Sequence, residues 1–351
     1  METILVTGGT GYIGSHTCLK LLENNYKVIV FDSLINSSEI VINKLKDLLR
    51  HRINNIDERI IFFQGDIRNK ESIEKIFEKY SIKKNFIKAV IHFAGLKSVS
   101  ESIQNPILYW DVNIKGSINL LEVMQKYGCK NIIFSSSATI YSQKNKIPYN
   151  ENGRLFPINP YGNTKLTIEN LLKDIYNSQP KEWRICNLRY FNPLGAHPSG
   201  VIGENPKGIP NNIFPIILNV ASNKLSKIQI FGNDWNTNDG TCIRDYIHVM
   251  DLAEGHIASL NYLLINNPQI NNFNLGTGLG TSVLSLINTF EETNNIPIPY
   301  EFIRRREGDL PFVVADIKKS KEILNWVPKF NIKDMCKDGW KWKSLNPEGY
   351  Q

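Results

Sequence analysis

Thr3-Ile4-Leu5-Val6-Thr7-Gly8-Gly9-Thr10-Gly11-Tyr12-Ile13-Gly14 decides the fold. Residues 3–7 are a short apolar, β-branched run, the pattern of a buried strand. Glycines 9, 11 and 14 fit G-x-G-x-x-G, and glycines 8, 11 and 14 fit the related G-x-x-G-x-x-G. A helical pattern follows, with Ile13, Cys18, Leu19, Leu21 and Leu22 apolar. A second strand, Lys27-Val28-Ile29-Val30-Phe31, then ends at Asp32, close to the ~20-residue spacing that dinucleotide sites use. Glycines alone mark a tight turn; strand, glycines, helix, strand and acid in order are specific. The glycines let backbone approach a pyrophosphate, which then lies on the helix N-terminus. Asp32 can accept from ribose hydroxyls and repels a 2′-phosphate, so NAD is expected rather than NADP.

Outward from this unit the alternation continues. Residues 40–56 read as helix, 60–63 as a strand running into Gly65-Asp66-Ile67, and 71–79 as an amphipathic helix. Ala89 to Gly95 is a strand opening into Leu96-Lys97, 112–127 is helical, and 131–134 is a strand delivering Ser135-Ser136-Ser137. Another helix and the strand 183–189 follow. Repeated β-α units predict an α/β fold with a doubly wound parallel (Rossmann) sheet, whose ligands bind beyond the carboxyl ends of the strands. After Phe191-Asn192-Pro193-Leu194-Gly195 the texture changes: 195–215 and 266–280 are rich in Gly, Pro and Asn, with little periodicity. The expected division is 1–190 for NAD binding and 191–351 for a smaller, loop-rich C-terminal substrate lobe, some segments of which return to the sheet.

Tyr161 and Lys165 stand four apart in Pro160-Tyr161-Gly162-Asn163-Thr164-Lys165. On a helix they share a face, and an ammonium beside a phenol favours the phenolate. The pair can then take a proton from a hydroxyl while hydride leaves the same carbon. By itself the spacing is a weak signal that favours a surface tyrosine and a solvated lysine; the rest of the chain reverses that preference.

The 351 residues carry 42% hydrophobic and 21% charged side chains, the balance of a globular enzyme. No apolar stretch reaches transmembrane length. The first strand begins at Thr3, so a cytoplasmic location is expected. Cys18, Cys129, Cys186, Cys242 and Cys336 are far apart, with no C-x-x-C pair, so neither a metal site nor a disulfide framework is expected. The net charge of +7 is dispersed, with local density at Lys44 to Arg59, Lys83-Lys84 and Arg304-Arg305-Arg306. No aromatic-interleaved basic stripe accompanies it, so no nucleic-acid partner and no membrane partner are expected.

The chain resembles the UDP-glucose 4-epimerases of the extended short-chain dehydrogenase/reductase superfamily over essentially its full length. The resemblance rests on Val6 to Thr17, Ile91 to Lys97, Phe134 to Thr139, Arg189 to Pro193, Ala196 to Gly200, Gly208-Ile209-Pro210-Asn211-Asn212, Arg244 to Leu252 and Arg305 to Pro311. It implies a tightly held NAD+, proton transfer by Tyr161, a 4-keto sugar that swings about its pyrophosphate, and return of hydride to the other face. Ser137 would bind the reacting hydroxyl, and Lys165 would hold the nicotinamide ribose. Cofactor contacts implied are Gly8, Gly11, Tyr12, Ile13, Gly14, Asp32, Asn36, Asp66, Ile67, Phe93, Ala94, Lys97, Ser137, Tyr161, Lys165 and Tyr190. Substrate contacts implied are Lys97, Ser137, Tyr161, Asn192, Asn212, Gln229, Phe231, Arg244, Arg306, Asp309 and Val313. Arg244 and Arg306 would clamp the diphosphate, whose geometry suits the guanidinium fork. Arg304 and Arg305 read as a solvated run, and His197 and His248 as structural. A homodimer is implied, through the helix near 112–127 and the one after Tyr161.

Two departures stand out: Ser142 where the family commonly has glycine, and Val112, followed by Asn113, where many bacterial members carry asparagine. Val313 lies where a tyrosine in the family goes with plain UDP-hexoses and a smaller residue with N-acetylated ones as well; UDP-N-acetylglucosamine and UDP-N-acetylgalactosamine are therefore expected as additional substrates. Phe312 could fill the same space instead. The alternatives are another nucleotide-sugar epimerase or dehydratase of this fold, or a non-catalytic NAD(H)-binding regulator. A dehydratase needs an Asp-Glu pair just after the serine position, where this chain has Ala138 and Thr139.

Overall fold

The computed structural model describes residues 1–81, 86–208, 212–306 and 308–351. The motif positions Ile209, Pro210, Asn211 and Glu307 and the basic pair Lys83-Lys84 lie outside the described residues. The first part of the chain runs β1 (Thr3–Thr7), α1 (Tyr12–Glu23), β2 (Lys27–Asp32), α2 (Ile40–Leu49), α3 (Ile56–Arg59), β3 (Ile60–Gln64), α4 (Lys70–Lys79) and β4 (Ile87–His92). Next come α5 (Val99–Gln104), α6 (Pro106–Tyr109), a π-helical turn (Trp110–Lys115), α7 (Gly116–Lys126), β5 (Asn131–Ser137), α8 (Pro160–Ser178) and β6 (Arg184–Tyr190). Then follow β7 (Asn192–Leu194), α9 (Ile213–Ala221), β8 (Ile228–Phe231), β9 (Ile243–His248), α10 (Val249–Ile265) and β10 (Gln269–Leu275). The chain closes with β11 (Gly280–Ser282), α11 (Val283–Asn294), β12 (Tyr300–Ile303), β13 (Phe312–Val313), α12 (Lys318–Leu324) and α13 (Ile332–Leu345).

Two compact units result. The first comprises residues 1–140, 155–189 and 253–273; the second comprises 141–154, 190–252 and 274–351. This division differs from a single cut at residue 190: residues 141–154 join the second unit and 253–273 the first. The seven-stranded sheet has the order β10-β6-β5-β4-β1-β2-β3. β1 pairs with β2 and β4, β2 with β3, and β4 with β5, all parallel. The order reverses between β1 and β4, the switch point at which such sheets take ligands. Ile4, Leu5, Val6, Val28, Ile29, Val30, Ala89, Val90 and Ile91 are fully buried, which is why these strands read as unbroken apolar runs.

The second unit holds β9 at the centre of a small sheet, antiparallel to β11 and parallel to β7 and β13. A separate parallel pair joins β8 and β12. Phe214, Ile217, Ile230, Tyr246, Leu286, Phe290 and Met335 form its core. No helix of the described residues is long and apolar enough to cross a membrane.

Three local readings change. The helix expected over 40–56 stops at Leu49, and Asn55 in the left-handed region (φ 54°) starts a separate short helix. The helix expected from 112 begins with the π-helical turn. Residues 269–275, expected to be irregular, are β10, the strand beside β6. Its four leading residues are only half-buried and polar-rich, so an edge strand there carries the composition of a loop.

Candidate active site

In the first unit the glycine turn is built for close approach. Gly8 has φ +71°, and a Cβ there would sit 2.7 Å from the Ala94 nitrogen. A Cβ on Gly14 would lie 2.3 Å from the Gly8 carbonyl oxygen. Gly11 begins α1 with no side chain capping its first N–H groups, which leaves them for an anion. Tyr12 and Ile13 open the helix, half-buried. Asp32 is buried; it accepts from the backbone N–H of Thr10 (3.1 Å) and Leu34 (2.9 Å) and from Ser37 Oγ (3.1 Å). The carboxylate thus also shapes the loop that carries exposed Asn36. Cradle, free helix end and acid fit a dinucleotide.

Across the switch point, Phe93 and Ala94 donate their N–H groups to the Thr7 carbonyl at 2.9 and 3.1 Å. Lys97 is exposed just beyond. Asn113, in the π-helical turn, holds this loop: its Oδ1 accepts from Leu96 N–H at 2.8 Å. Its Nδ2 donates to the Leu96 carbonyl and to Thr164 Oγ1, at 3.2 and 3.0 Å. Val112 itself is buried and apolar. Asp66 has an arginine partner that the sequence did not point to. Arg68 donates to both of its oxygens through Nε (3.0 and 3.1 Å) and Nη2 (2.6 Å), and also binds Asp111 at 2.9 Å. The ion pair lowers the Asp66 pKa and keeps the carboxylate ionised. Ile67 is buried against Gly116.

The serine run and the Tyr-Lys pair meet. Asn159 caps α8 by accepting from Gly162 N–H at 2.8 Å, with Pro160 in the first turn. This fixes the start of the helix so that Tyr161 and Lys165 face β5. Lys165 Nζ donates to the Ser135 carbonyl at 2.7 Å and lies 5.8 Å from the Tyr161 ring centre. Ser137 Oγ accepts from Thr139 N–H (3.2 Å) and Thr139 Oγ1 (3.0 Å), so its own proton is free to go to Tyr161, its hydrogen-bond partner. Burial raises the Tyr161 phenol, and the Ser137 bond pulls it partly back. The spacing argument predicted a net lowering. Burial outweighs it here, because the same burial brings Lys165 down to about 8 and weakens it as a cation at the pH where a phenol ionises.

In the second unit the residues named for substrate cluster around β9 and β8. Arg244 donates from Nη1 to the carbonyls of Ile243 (2.9 Å) and Leu310 (2.8 Å), and its Nη2 lies 3.6 Å from Asp309. Asp309 also accepts from Arg306 at 2.9 Å. Arg306 lies over Phe231 at 5.3 Å. Gln229 is exposed and donates to Glu301 at 3.2 Å. Asn212 caps α9 in position, yet its side chain makes no capping bond. Asn192 pairs with Tyr246 of β9, and Val313, half-buried, pairs with Arg244. Tyr190, at the end of β6, is buried. Asp245 is buried and accepts from Thr277, Gly278 and Ala315 N–H. Arg305 is not merely solvated: it stacks on Trp235 at 4.0 Å and binds Asp234 at 2.7 Å. His248 stacks on Phe330 and accepts from Met250 N–H; His197 bonds Ser199.

The family model for GDP-mannose 4,6 dehydratase matches residues 5–339. UDP-glucose 4-epimerase 1 of Oryza sativa subsp. japonica is 48% identical over 352 residues, covering 100% of this chain and 97% of that one. The UDP-glucose 4-epimerase of Bacillus subtilis (strain 168) is 46% identical over 348 residues, with 99% and 98% covered. The crystal structure of UDP-glucose 4-epimerase from Bifidobacterium longum in complex with NAD+ and UDP superposes with a TM-score of 0.92 at 42% identity, covering 99% and 100%. The chain belongs to the UDP-glucose 4-epimerase family.

As a UDP-glucose 4-epimerase family member the chain has two departures, and the structure gives both a setting. Ser142 is not among the residues with a left-handed backbone, so it needs no glycine. Asn113 is fully engaged, beside the buried Val112. Sequence reasoning passed over Thr139 and Arg68 as working residues. Thr139 was weighed only as a missing acid, and Arg68 was not singled out at all. Among the described residues no group of His, Cys, Asp and Glu could hold a metal ion.

Proposed function

We propose that this chain interconverts UDP-glucose and UDP-galactose by inverting carbon-4, with NAD as its resident cofactor. The observation that carries the reading is Ser137, Tyr161 and Lys165 gathered at the end of β5 and the start of α8. When bound, NAD supplies the chemistry of taking hydride from carbon-4 and returning it. Gly8, Gly11, Tyr12, Ile13 and Gly14 would wrap its pyrophosphate, Asp32 and Asn36 a ribose, and Asp66 and Ile67 the adenine side. Phe93, Ala94, Lys97 and Tyr190 complete the set. Tyr161 receives the proton of the 4-hydroxyl, Ser137 holds that hydroxyl and passes the proton, and Lys165 holds the nicotinamide ribose and steadies the phenolate. Arg244, Arg306, Asn192 and Asn212 hold the diphosphate and sugar, and Asp309, Gln229 and Phe231 the nucleoside, so that the UDP stays fixed while the sugar turns. In this reading 1–190 is chiefly the NAD-binding part and 191–351 chiefly the substrate part.

A dehydratase is disfavoured by one observation: Thr139 is spent on Ser137, and Ala138 carries no acid. The deciding experiment is chromatographic product analysis with UDP-galactose. UDP-glucose as product supports the reading; a 4-keto-6-deoxy sugar, or no product from NAD-loaded protein, sinks it. Asp32→Ala should let NADP reconstitute stripped protein that otherwise accepts only NAD; equal reconstitution of the parent by NADP would refute the cofactor assignment.

The half-buried Val313 supports wider scope. We infer that UDP-N-acetylglucosamine and UDP-N-acetylgalactosamine are also interconverted, since valine leaves room for an acetamido group where tyrosine excludes it. Val313→Tyr should suppress that conversion selectively. We also propose a homodimer and a cytoplasmic location. Val99, Ile103, Ile107, Leu108, Trp110 and Ile118 are exposed apolar residues of α5, α6, the π-helical turn and α7, and their exposure suits burial against a second copy. Light scattering should give a dimer that Ile107→Glu dissociates. All five cysteines are free and buried, which suits a reducing compartment.

A further inference from the structure

Tyr161, Lys165 and Glu169 stand four apart on α8 and share a face. β5 meets each of them with one of its three successive serines. Ser137 bonds Tyr161, the Ser135 carbonyl accepts from Lys165, and Ser136 Oγ donates to Glu169 Oε1 at 2.6 Å. Glu169 is held again by Arg189 of β6, whose Nε reaches Oε1 at 3.0 Å and Nη2 reaches Oε2 at 2.7 Å. The pair is buried, with side chains 1% and 5% exposed. Neither residue has a part in the proton transfer described above.

A buried carboxylate one turn from a buried ammonium is a competitor for it. At this spacing Lys165 and Glu169 could pair, and in a low-dielectric interior the attraction would be strong. Pairing would draw Nζ along the helix, away from the Ser135 carbonyl and from Tyr161. The titratable and charged groups around Lys165 are Tyr161 and Glu169 on its own helix, His92 on β4 and Arg189 on β6. His92 is neutral, its pKa lowered to about 3 by burial and then by Lys165, and it bonds Thr7 and Ser117. Glu169 is thus the one anion of this set, and Arg189 with Ser136 occupies both of its oxygens.

We propose that Arg189 and Ser136 are positioning residues that sequester Glu169, so that the Lys165 ammonium stays on the Ser135 carbonyl beside Tyr161. The proposal rests on the reading of Tyr161 and Lys165 as the reacting pair. The test is a set of variants read by melting and by steady-state kinetics. In nucleotide-free parent protein at neutral pH, Lys165→Met removes a buried cation that lacks an anionic partner, and the melting temperature rises. In an Arg189→Met background Lys165 pairs with the released Glu169, so the same Lys165→Met change lowers it. This reversal of sign is a double-mutant coupling that a purely structural ion pair does not produce. Arg189→Met alone should lower kcat on the order of ten- to a hundredfold, with KM for UDP-galactose little changed, because the reacting groups are misplaced. Arg189→Met/Glu169→Leu removes both charges, which buried sites tolerate far better than removal of one; kcat should return to within about threefold of the parent. If Arg189→Met does not fold, Arg189→Lys, which reaches one carboxylate oxygen, and the double variant carry the test. Lys165→Met acting with the same sign in both backgrounds, or a double variant as slow as the single, overturns the proposal. A parent that makes no epimerised product overturns the functional reading instead; the melting cycle needs no turnover and still judges the sequestration.

Discussion

The two units prepare their charged groups in opposite ways. In the first, Lys165, Glu169 and Arg189 are withdrawn from water and are held by neighbours on β5, β6 and α8. The cost of desolvation is met once, on folding, and the geometry is then fixed. In the second, Arg306 keeps 58% of its side chain exposed, shares Asp309 with Arg244, and leans on Phe231. Such a cluster is held by interactions that water weakens and that an incoming anion can replace. Under the proposed function, the first arrangement suits a reaction that tolerates little displacement, and the second suits a ligand that must enter and leave.

That contrast can be tested at three points. Tyr161→Phe attacks the rigid region at its reacting atom: turnover should fall ~10²–10⁴-fold, while calorimetry still finds NAD and UDP binding. Near-normal turnover would mean that the preorganised hydroxyl is not the base. Arg306→Ala attacks the exposed cluster: UDP affinity should drop about tenfold, the low end for a charge-assisted contact because the group is exposed, with kcat almost unmoved. Unchanged UDP affinity would break the second half of the contrast. Lys165→Met gives the smallest effect and the most specific one. Lys165 has its pKa lowered to about 8 by burial, against an ordinary ~10.4 for the unfolded chain. Between these values the unfolded state holds a proton that the folded state has shed, so this residue's contribution to stability rises with pH through that window. The melting advantage of Lys165→Met over the parent should be fullest below pH about 8 and close by about 10.4. A gap that does not change with pH would show that the ammonium is not buried as described.

Much of this was legible in the sequence, for reasons that differ by region. The glycines at 8 and 14 are legible because only glycine permits a backbone to come within 2.3–2.7 Å of where a Cβ would be. The Tyr161–Lys165 pair is legible because helical spacing is a local property. β10 was not, because an edge strand with Asn271 and Asn272 half in water has no alternation to distinguish it from a loop. The pairing of Asp66 with Arg68 and of Glu169 with Arg189 was not legible either. Lone-pair occupancy depends on rotamers, and for Glu169 also on contacts 20 residues distant. The direction of the Tyr161 shift needed burial, which spacing cannot supply.

The first unit takes residues 253–273 from late in the chain, and β10 lies beside β6 in its sheet. On a ribosome this becomes a matter of timing. β6 ends at Tyr190 and β10 begins at Gln269, so at about 5–20 residues per second the strand edge waits several seconds for its neighbour. During that interval β7, β8 and β9 emerge, while β6 offers an unpaired edge of the kind that invites wrong partners. The N-terminal glycine unit, although made first, cannot be the first part finished, and the two units of this chain must mature together rather than in turn.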